Sequence, residues 1–136
     1  LSEGKKSVLD GVPKSLPAMV KANRIQEKAR GIGFDWDHKD QVWGKLQEEL
    51  GELKHEIDSN SDFSKVEDEF GDVLFSIINY ARFVDVNPED ALERTNKKFI
   101  KRFQYMEDQV AVQKKQMSDL SLEQMEVIWQ EAKTRA

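Results

Sequence analysis

Glu48-Glu49-Leu50-Gly51-Glu52 decides the fold of this chain, together with a second acidic stretch, Glu67-Asp68-Glu69-Phe70-Gly71-Asp72. Each stretch contains two carboxylates three residues apart, and residues at this spacing lie on one face of an α-helix. Two helices that pack with these faces together would bring four carboxylates close to one another. Their repulsion would be costly without a cation, and a hard divalent ion such as Mg²⁺ prefers oxygen ligands. The four carboxylates belong to Glu49, Glu52, Glu69 and Asp72.

Apolar residues on both sides of these stretches recur at the spacing of an amphipathic helix. They predict one helix over about residues 39–58 and another over about residues 62–85. Glu49 and Glu69 lie at the borders of the two apolar faces and not on a remote solvated surface. The predicted apolar positions are Val42, Leu46, Leu50, Leu53 and Ile57 in the first of these helices, and Val66, Phe70, Val73, Leu74, Ile77, Ala81 and Val84 in the second.

Helix-start signals predict three further helices. Ser15 as N-cap, with Pro17 in the first turn, begins a helix that continues to about residue 30. Asn87-Pro88 begins a helix over about residues 88–114, and the capping box Ser121-Leu122-Glu123-Gln124 begins the last one. No strand-like alternation occurs in the sequence. The fold class predicted is therefore all-α, a bundle of about five helices with a four-helix core.

The length of 136 residues suits one domain with a substantial core. Residues 1–14 hold two glycines and a proline without a sustained period, which predicts a linker or N-terminal extension. The helical domain is therefore predicted over residues 15–136.

The net charge and amino-acid composition restrict the kinds of partner and metal site that this chain can have. The formal net charge of −5 argues against nucleic acid or an anionic membrane as the main partner, and no apolar run approaches the roughly 20 residues that span a bilayer. The absence of cysteine excludes disulfides and thiolate metal sites, and His38 and His55 are not at the spacing of a zinc site. We therefore expect a cytoplasmic protein that binds neither nucleic acid nor membrane.

Two interpretations of the acidic stretches remain open from the residues alone, a solvated surface and a metal site. Two acidic pairs on consecutive helices, both beside an apolar face, make the metal site about as favoured as the surface. Lys45 and Lys65 each lie one turn before an acid of the set, and Lys98 and Arg102 share a face of a later helix. They would suit a polyphosphate, although surface salt bridges would also explain them. Asn96 lies within an apolar face, which predicts a buried amide that is a structural clamp or a ligand contact.

The sequence resembles the all-α nucleoside triphosphate pyrophosphohydrolases and, within that superfamily, the MazG family. The resemblance rests on an EExxE…ExxD pattern, formed by Glu48-Glu49-x-x-Glu52 and Glu69-x-x-Asp72. This acidic pattern alone is moderately specific, and its combination with the other matching stretches is strong. Those stretches, which extend over nearly the whole chain, are Leu16-Pro17-Ala18, Arg24-Ile25-Gln26, Gly33-Phe34-Asp35-Trp36, Gly71-Asp72-Val73-Leu74-Phe75, Asn79-Tyr80-Ala81-Arg82 and Asn96-x-Lys98-Phe99-x-x-Arg102-Phe103.

The resemblance implies a metal site and a nucleotide site. The implied ligands of Mg²⁺, for which Mn²⁺ would substitute, are Glu49, Glu52, Glu69 and Asp72. The implied catalytic residues are Glu48, which would orient or deprotonate the attacking water, and Lys98 and Arg102, which would neutralise the leaving pyrophosphate. The implied substrate-binding residues are Lys45, Glu48, Lys65, Lys98, Arg102 and Trp129, with Lys133 as a further candidate for the phosphates. Asn96 is added to this set from its position in the apolar face.

The implied reaction is Mg²⁺-dependent hydrolysis of a nucleoside triphosphate to a nucleoside monophosphate and pyrophosphate, by attack of water at the α-phosphorus. The resemblance also implies a homodimer that completes the bundle. Because MazG proteins often contain two such domains, and residues 7–13 resemble the connector between them, we expect the C-terminal domain of a longer MazG or a single-domain relative.

Two alternatives to this function remain open. One is a base-selective relative of the dUTPase or dCTPase kind, and the other is a helical interaction module without enzymatic activity. The sequence does not predict the preferred base, because Phe34, Trp36 and Trp129 would stack on any base.

Overall fold

The computed structural model describes residues 7–135, and over this range it contains α-helices, one short 3₁₀ helix and no strand. The all-α fold class is therefore confirmed. Residues 1–6 of the predicted linker lie outside the described residues, and residues 7–14 form turns and bends. The helices are α1 (Ala18–Gly31), α2 (Lys39–Asp58), α3 (Phe63–Phe83), α4 (Pro88–Val112) and α5 (Leu122–Arg135), and the 3₁₀ helix (Met117–Asp119) lies between α4 and α5.

The predicted helix starts are confirmed except for that of α1. Pro17, and not Ser15, is the N-cap residue of α1, and its φ of −56° and ψ of 147° are extended and not helical. The prediction was wrong because a proline ring disfavours the helical conformation in the residue before it. Leu16 therefore cannot serve as the first helical residue, which a cap at Ser15 would require. The other predicted signals hold, including the capping box of α5, in which Ser121 and Gln124 exchange hydrogen bonds of 2.9 and 3.1 Å.

The described chain divides into two compact units, and the first, which ends at residue 89, contains α1, α2 and α3. α2 and α3 pack against each other over much of their length, and α1 packs on α3. The core of this unit is a cluster formed by Leu46, Leu53 and Val73, with Val66 packed against it. These residues belong to the predicted apolar faces, but Ile78 of α3, which is 2% exposed, does not, so the helical periodicity identified the core in part.

The second unit, residues 90–136, contains most of α4 and all of α5. Its helices contact each other through aromatic rings: the Phe99 and Trp129 rings lie 5.3 Å apart, and the Arg102 guanidinium lies 5.8 Å from the centre of the Trp129 ring. Met106 and Val110 of α4 are buried, as is Ala132 of α5.

Several predicted apolar positions are exposed because each helix buries only one side against its neighbours within the chain. These positions, each at least 38% exposed, are Leu50, Ile57, Phe70, Leu74, Ile77 and Val84. Leu92, Phe99 and Phe103, on the side of α4 that carries Asn96, are also exposed. The expectation that Asn96 is buried was wrong for the same reason: it is exposed, and its amide donates a hydrogen bond to Glu93 Oε1 at 3.4 Å. Among the described helices, we find none with the length and hydropathy of a membrane span.

Candidate metal centre

The hairpin formed by α2 and α3 places the two acidic stretches opposite each other. Residues 59–62 reverse the chain between the helices, so the helices run antiparallel. Glu49 lies nine residues before the end of α2 at Asp58, and Asp72 lies nine residues after the start of α3 at Phe63. Because both helices rise about 1.5 Å per residue, these two carboxylates lie at the same height along the hairpin.

Three of the four predicted ligands meet at this height. One carboxylate oxygen each of Glu49, Glu69 and Asp72 lie within 4.8 Å of one another. Glu49 is buried, Glu69 is half-buried and Asp72 is exposed, so the acidic cluster, as we call these three residues, extends from the core to the solvent. A charged group at such a buried position needs a partner of opposite charge.

Glu52, the fourth predicted ligand, is exposed and lies outside this group of three. It still lies in the electrostatic field of the cluster: the negative charge of Glu49 raises the pKa of Glu52 most, followed by burial and the charge of Glu69. A metal-binding role for Glu52 therefore remains a prediction.

Lys45 neutralises part of the acidic charge on α2. Its Nζ lies 2.9 Å from Glu49 Oε1 and 3.3 Å from Glu48 Oε1. Hydrogen bonds, first to Glu49 and then to Glu48, raise the pKa of Lys45. Glu48 itself is exposed, whereas Glu49 is buried, so the two adjacent glutamates occupy different environments.

The oxygens that Lys45 does not contact make the acidic cluster suitable for a metal ion. Glu49 Oε2 and Glu69 Oε2 are both buried, and neither has a hydrogen-bond partner among the described residues. Buried carboxylate oxygens are normally hydrogen-bonded, ion-paired or bound to a metal. Two such oxygens beside a third carboxylate form the all-oxygen environment that hard divalent cations prefer.

We expect the substitution Glu69→Gln to raise the melting temperature of the metal-free protein at neutral pH. Burial raises the pKa of Glu69 most, and the negative charges of Asp72 and Glu49 raise it further, so folding disfavours the charged form. A carboxyl whose pKa is raised by folding destabilises the protein at any pH above that pKa. This cost decreases as the pH falls through the folded-state pKa and is absent below the unfolded-state pKa.

Thermal melting of Glu69→Gln and of the wild-type protein, both in a chelator, tests this expectation. The difference in melting temperature should shrink as the pH falls through the range in which carboxyls titrate. Added Mg²⁺ should stabilise the wild-type protein more than the variant. A variant that melts below the wild-type protein at neutral pH without metal would contradict the repulsion that we infer.

The remaining predicted site residues lie outside the acidic cluster. Lys65 lies on α3 and is exposed. The others belong to the second unit, where the Arg102 guanidinium stacks on the Trp129 ring and the Arg102 Nε has no hydrogen-bond partner among the described residues. Those residues are Asn96, Lys98, Arg102, Trp129 and Lys133.

Sequence reasoning missed a buried polar network in the first unit. The Arg82 side chain, 7% exposed, donates from Nη2 to Asp35 Oδ1 at 3.3 Å and to Asn79 Oδ1 at 2.6 Å. Gln26 is also buried, and its Nε2 donates to the Phe75 carbonyl at 3.0 Å. The available signal was the spacing of Asn79 and Arg82, which places both on one face of a helix.

The two helices that carry the acidic cluster lie in a stretch of sequence that matches a known protein family. Its sequence matches the MazG nucleotide pyrophosphohydrolase domain over residues 39–106, half of the chain. The match begins at the first residue of α2, contains the whole acidic cluster and ends within α4. The chain therefore belongs to the MazG nucleotide pyrophosphohydrolase domain family.

Individual relatives agree with this assignment. The chain is 42% identical to the nucleoside triphosphate pyrophosphohydrolase/pyrophosphatase MazG of Thermotoga maritima, over 87% of this chain and 45% of that protein. It is 40% identical to the nucleoside triphosphate pyrophosphohydrolase of Escherichia coli K12, over 93% of this chain and 49% of that protein. An uncharacterized protein of Bacillus subtilis, YabN, is 43% identical over 93% of this chain and 26% of that protein. The chain thus spans about half the length of the first two relatives.

Proposed function

We propose that this chain hydrolyses nucleoside triphosphates to nucleoside monophosphates and pyrophosphate, by attack of water at the α-phosphorus, and that it requires Mg²⁺, with Mn²⁺ as a substitute. The observation that carries the proposal is the acidic cluster, with two buried carboxylate oxygens that have no partner among the described residues. The cluster lies within the segment that matches the MazG family, and two relatives are named as nucleoside triphosphate pyrophosphohydrolases.

The metal ion would be held by Glu49, Glu69 and Asp72, with Glu52 as the fourth ligand. A divalent cation at this position would supply Lewis-acid polarisation of the phosphate oxygens and a lower pKa for water. The carboxylates contribute a fixed position on two packed helices, because Glu49 is buried beside the core of the hairpin.

Glu48 is the proposed base of the reaction. It is exposed and lies outside the acidic cluster, and Lys45 contacts only its Oε1, so Oε2 would accept a proton from water or orient it. Lys45, 3.3 Å from Glu48, holds this carboxylate beside the cluster and would turn to the phosphates when a nucleotide binds.

We also propose that basic and aromatic residues outside the cluster bind the nucleotide. Lys98 and Arg102 would neutralise the leaving pyrophosphate, and this role rests on the match to MazG-like positions. Trp129 holds the Arg102 guanidinium by a cation–π contact, which orders that side chain before a phosphate binds. The other proposed contacts with the substrate are Lys65, Asn96 and Lys133.

A homodimer is part of the proposal. The apolar side chains on α2 and α3 that remain exposed, Leu50, Ile57, Phe70, Leu74 and Ile77, would be covered by a second copy of the chain. Each of these side chains is at least 44% exposed in the single chain.

Isotope labelling tests the proposed reaction. The chain is incubated with each standard ribo- and deoxyribonucleoside triphosphate in water enriched in ¹⁸O, with Mg²⁺, with Mn²⁺ or with a chelator. We expect pyrophosphate release only with a divalent cation, and ¹⁸O in the nucleoside monophosphate and not in the pyrophosphate. Label in orthophosphate or pyrophosphate would contradict attack at the α-phosphorus. Absence of any hydrolysis would favour the interaction module, and hydrolysis of a single pyrimidine nucleotide would favour the base-selective relative.

A further inference from the structure

A cavity in the first unit lies outside the acidic cluster, and none of its lining residues takes part in the proposed hydrolysis. Its volume of about 520 Å³ is within the range of about 300–1,000 Å³ that small-molecule sites occupy. Its walls come from Leu9 in the segment before α1, from α1, from the loop between α1 and α2, and from α3. The lining combines aliphatic and aromatic side chains with the buried polar network. Its polar and aromatic residues include Gln26, Phe34, Trp36, Phe75, Asn79 and Arg82.

Two buried polar side chains in the cavity wall have hydrogen-bonding capacity that no described residue satisfies. Gln26 is 5% exposed, and its Oε1 has no partner, since only its Nε2 is used, in the bond to Phe75. Arg82 is 8% exposed, and its Nε and Nη1 have no partner, since only Nη2 binds Asp35 and Asn79. Buried polar groups in native proteins are almost always satisfied. A ligand that offers one donor and one acceptor would satisfy both side chains.

The aromatic side chains of the cavity are poorly covered by the chain itself. Trp36 is 42% exposed and Phe75 is 45% exposed, and Phe34 is more exposed than either. Flat rings with an open face bind other flat rings by stacking. The charged residues in the wall, Asp35 and Arg82, already pair with each other, so the cavity suits a neutral ring better than a phosphate.

The position of the cavity on α3 connects it to the acidic cluster. Asp72, Phe75 and Asn79 are spaced by three and four residues, so they lie on one face of the helix. At about 1.5 Å per residue, Phe75 lies roughly 4.5 Å and Asn79 roughly 10 Å along the helix axis from Asp72. One sugar with its attached phosphate bridges such a separation.

We propose that this cavity binds the nucleobase of the substrate, with the ring stacked on Trp36 and its polar edge read by Gln26 and Arg82; the assignment rests on the proposed function. Gln26 Oε1 would accept a hydrogen bond from a ring or exocyclic N–H, and Arg82 would donate to a neighbouring ring nitrogen or carbonyl. Gln26 is therefore the specificity-determining residue. Arg82 also positions, through its contact with Asp35, the loop that carries Phe34 and Trp36, which we call the aromatic loop.

Binding of the four ribonucleoside 5′-monophosphates to the full chain in a chelator tests the proposal, because this measurement needs neither metal nor turnover. We expect Trp36→Ala to weaken binding by about 5- to 100-fold, the range that the loss of one stacked base produces. Trp43→Ala is the matched control: Trp43 is similarly exposed and contacts Tyr80, but it does not line the cavity. It should change the dissociation constants less than twofold.

Gln26→Leu, which keeps the volume but removes the amide, should change the ranking of the four bases. Circular dichroism and thermal melting establish that each variant is folded, and Gln26→Glu provides a second variant if Gln26→Leu does not fold. Folded Trp36→Ala and Gln26 variants that bind all four monophosphates like the wild-type protein would overturn the proposal. So would a Trp36→Ala variant that dissociates into monomers with unchanged nucleotide affinity, because the aromatic loop would then be a subunit contact.

The outcome is separable from that of the proposed function. If triphosphates are not hydrolysed but Trp36→Ala still weakens monophosphate binding, the cavity is a nucleobase site on a protein without this activity. If hydrolysis occurs and Trp36→Ala binds monophosphates normally, the activity stands and the cavity assignment falls.

Discussion

The substitution Asp72→Asn is expected to reduce pyrophosphate release by about 10²–10³-fold. Asp72 is the exposed member of the acidic cluster, so its carboxylate is the one through which the cluster reaches solvent. Metal ions stabilise the charge of a phosphoryl transition state by several kcal/mol, and each 1.4 kcal/mol changes the rate about tenfold. The amide keeps the shape of the carboxylate but removes the negative charge that would bind the cation.

Asp68→Asn is the matched control, since it makes the same chemical change on the same helix at an exposed position outside the cluster. It should retain turnover within about twofold, because surface substitutions of this kind rarely have large effects. The two variants should have the same helical content, and Mg²⁺ should raise the melting temperature of Asp68→Asn but not that of Asp72→Asn. Full activity in Asp72→Asn would eliminate the proposed metal site.

Leu46→Ala should have the largest effect on stability, a loss of about 2–5 kcal/mol in the free energy of unfolding. Leu46 is 6% exposed and belongs to the core cluster with Leu53 and Val73, between the two helices that carry the acids. Its truncation leaves a cavity that the packed hairpin cannot close completely. Because the same packing holds Glu49 opposite Asp72, we also expect a loss of metal affinity in the folded fraction.

Leu50→Ala provides the comparison for this result. Leu50 is one turn further along α2 but is 46% exposed, so its truncation should cost well under half as much within a single chain. Denaturation by urea at several protein concentrations measures both effects. Equal losses for the two variants at every concentration would show that Leu46 is no more buried than Leu50 in the folded protein.

The sequence predicted the helices because their signals are local. Apolar spacing predicted the buried Leu46 and Leu53 of α2 and Val73 of α3, and the capping box at Ser121 predicted the start of α5. The start of α1 was wrong because the effect of Pro17 on the preceding residue outweighed the capping preference of Ser15. Exposure of Asn96 was also missed, since periodicity identifies an apolar face but does not say what covers it.

The acidic residues of the candidate site could be named from the sequence alone, because three-residue spacing places two carboxylates on one helical face. Their convergence could be argued from the short turn between the helices. Which of the four carboxylates are buried and which lie close together could not be predicted. Only the packed hairpin shows that Glu49 is buried while Glu52 lies outside the group of three. The aromatic cavity was beyond sequence reasoning, because Gln26 and Arg82 come from helices far apart in the chain.

The sequence by itself thus determined the all-α class, the helix limits to within a few residues and the residue types of the candidate metal site. The tertiary structure decided which of those carboxylates share one position, which oxygens lose their partners, and where buried polar groups meet aromatic rings. The physical reason is that helical spacing depends on neighbours three and four residues away. Desolvation and electrostatic repulsion depend on residues brought together from distant parts of the chain, as Glu49 and Asp72 are.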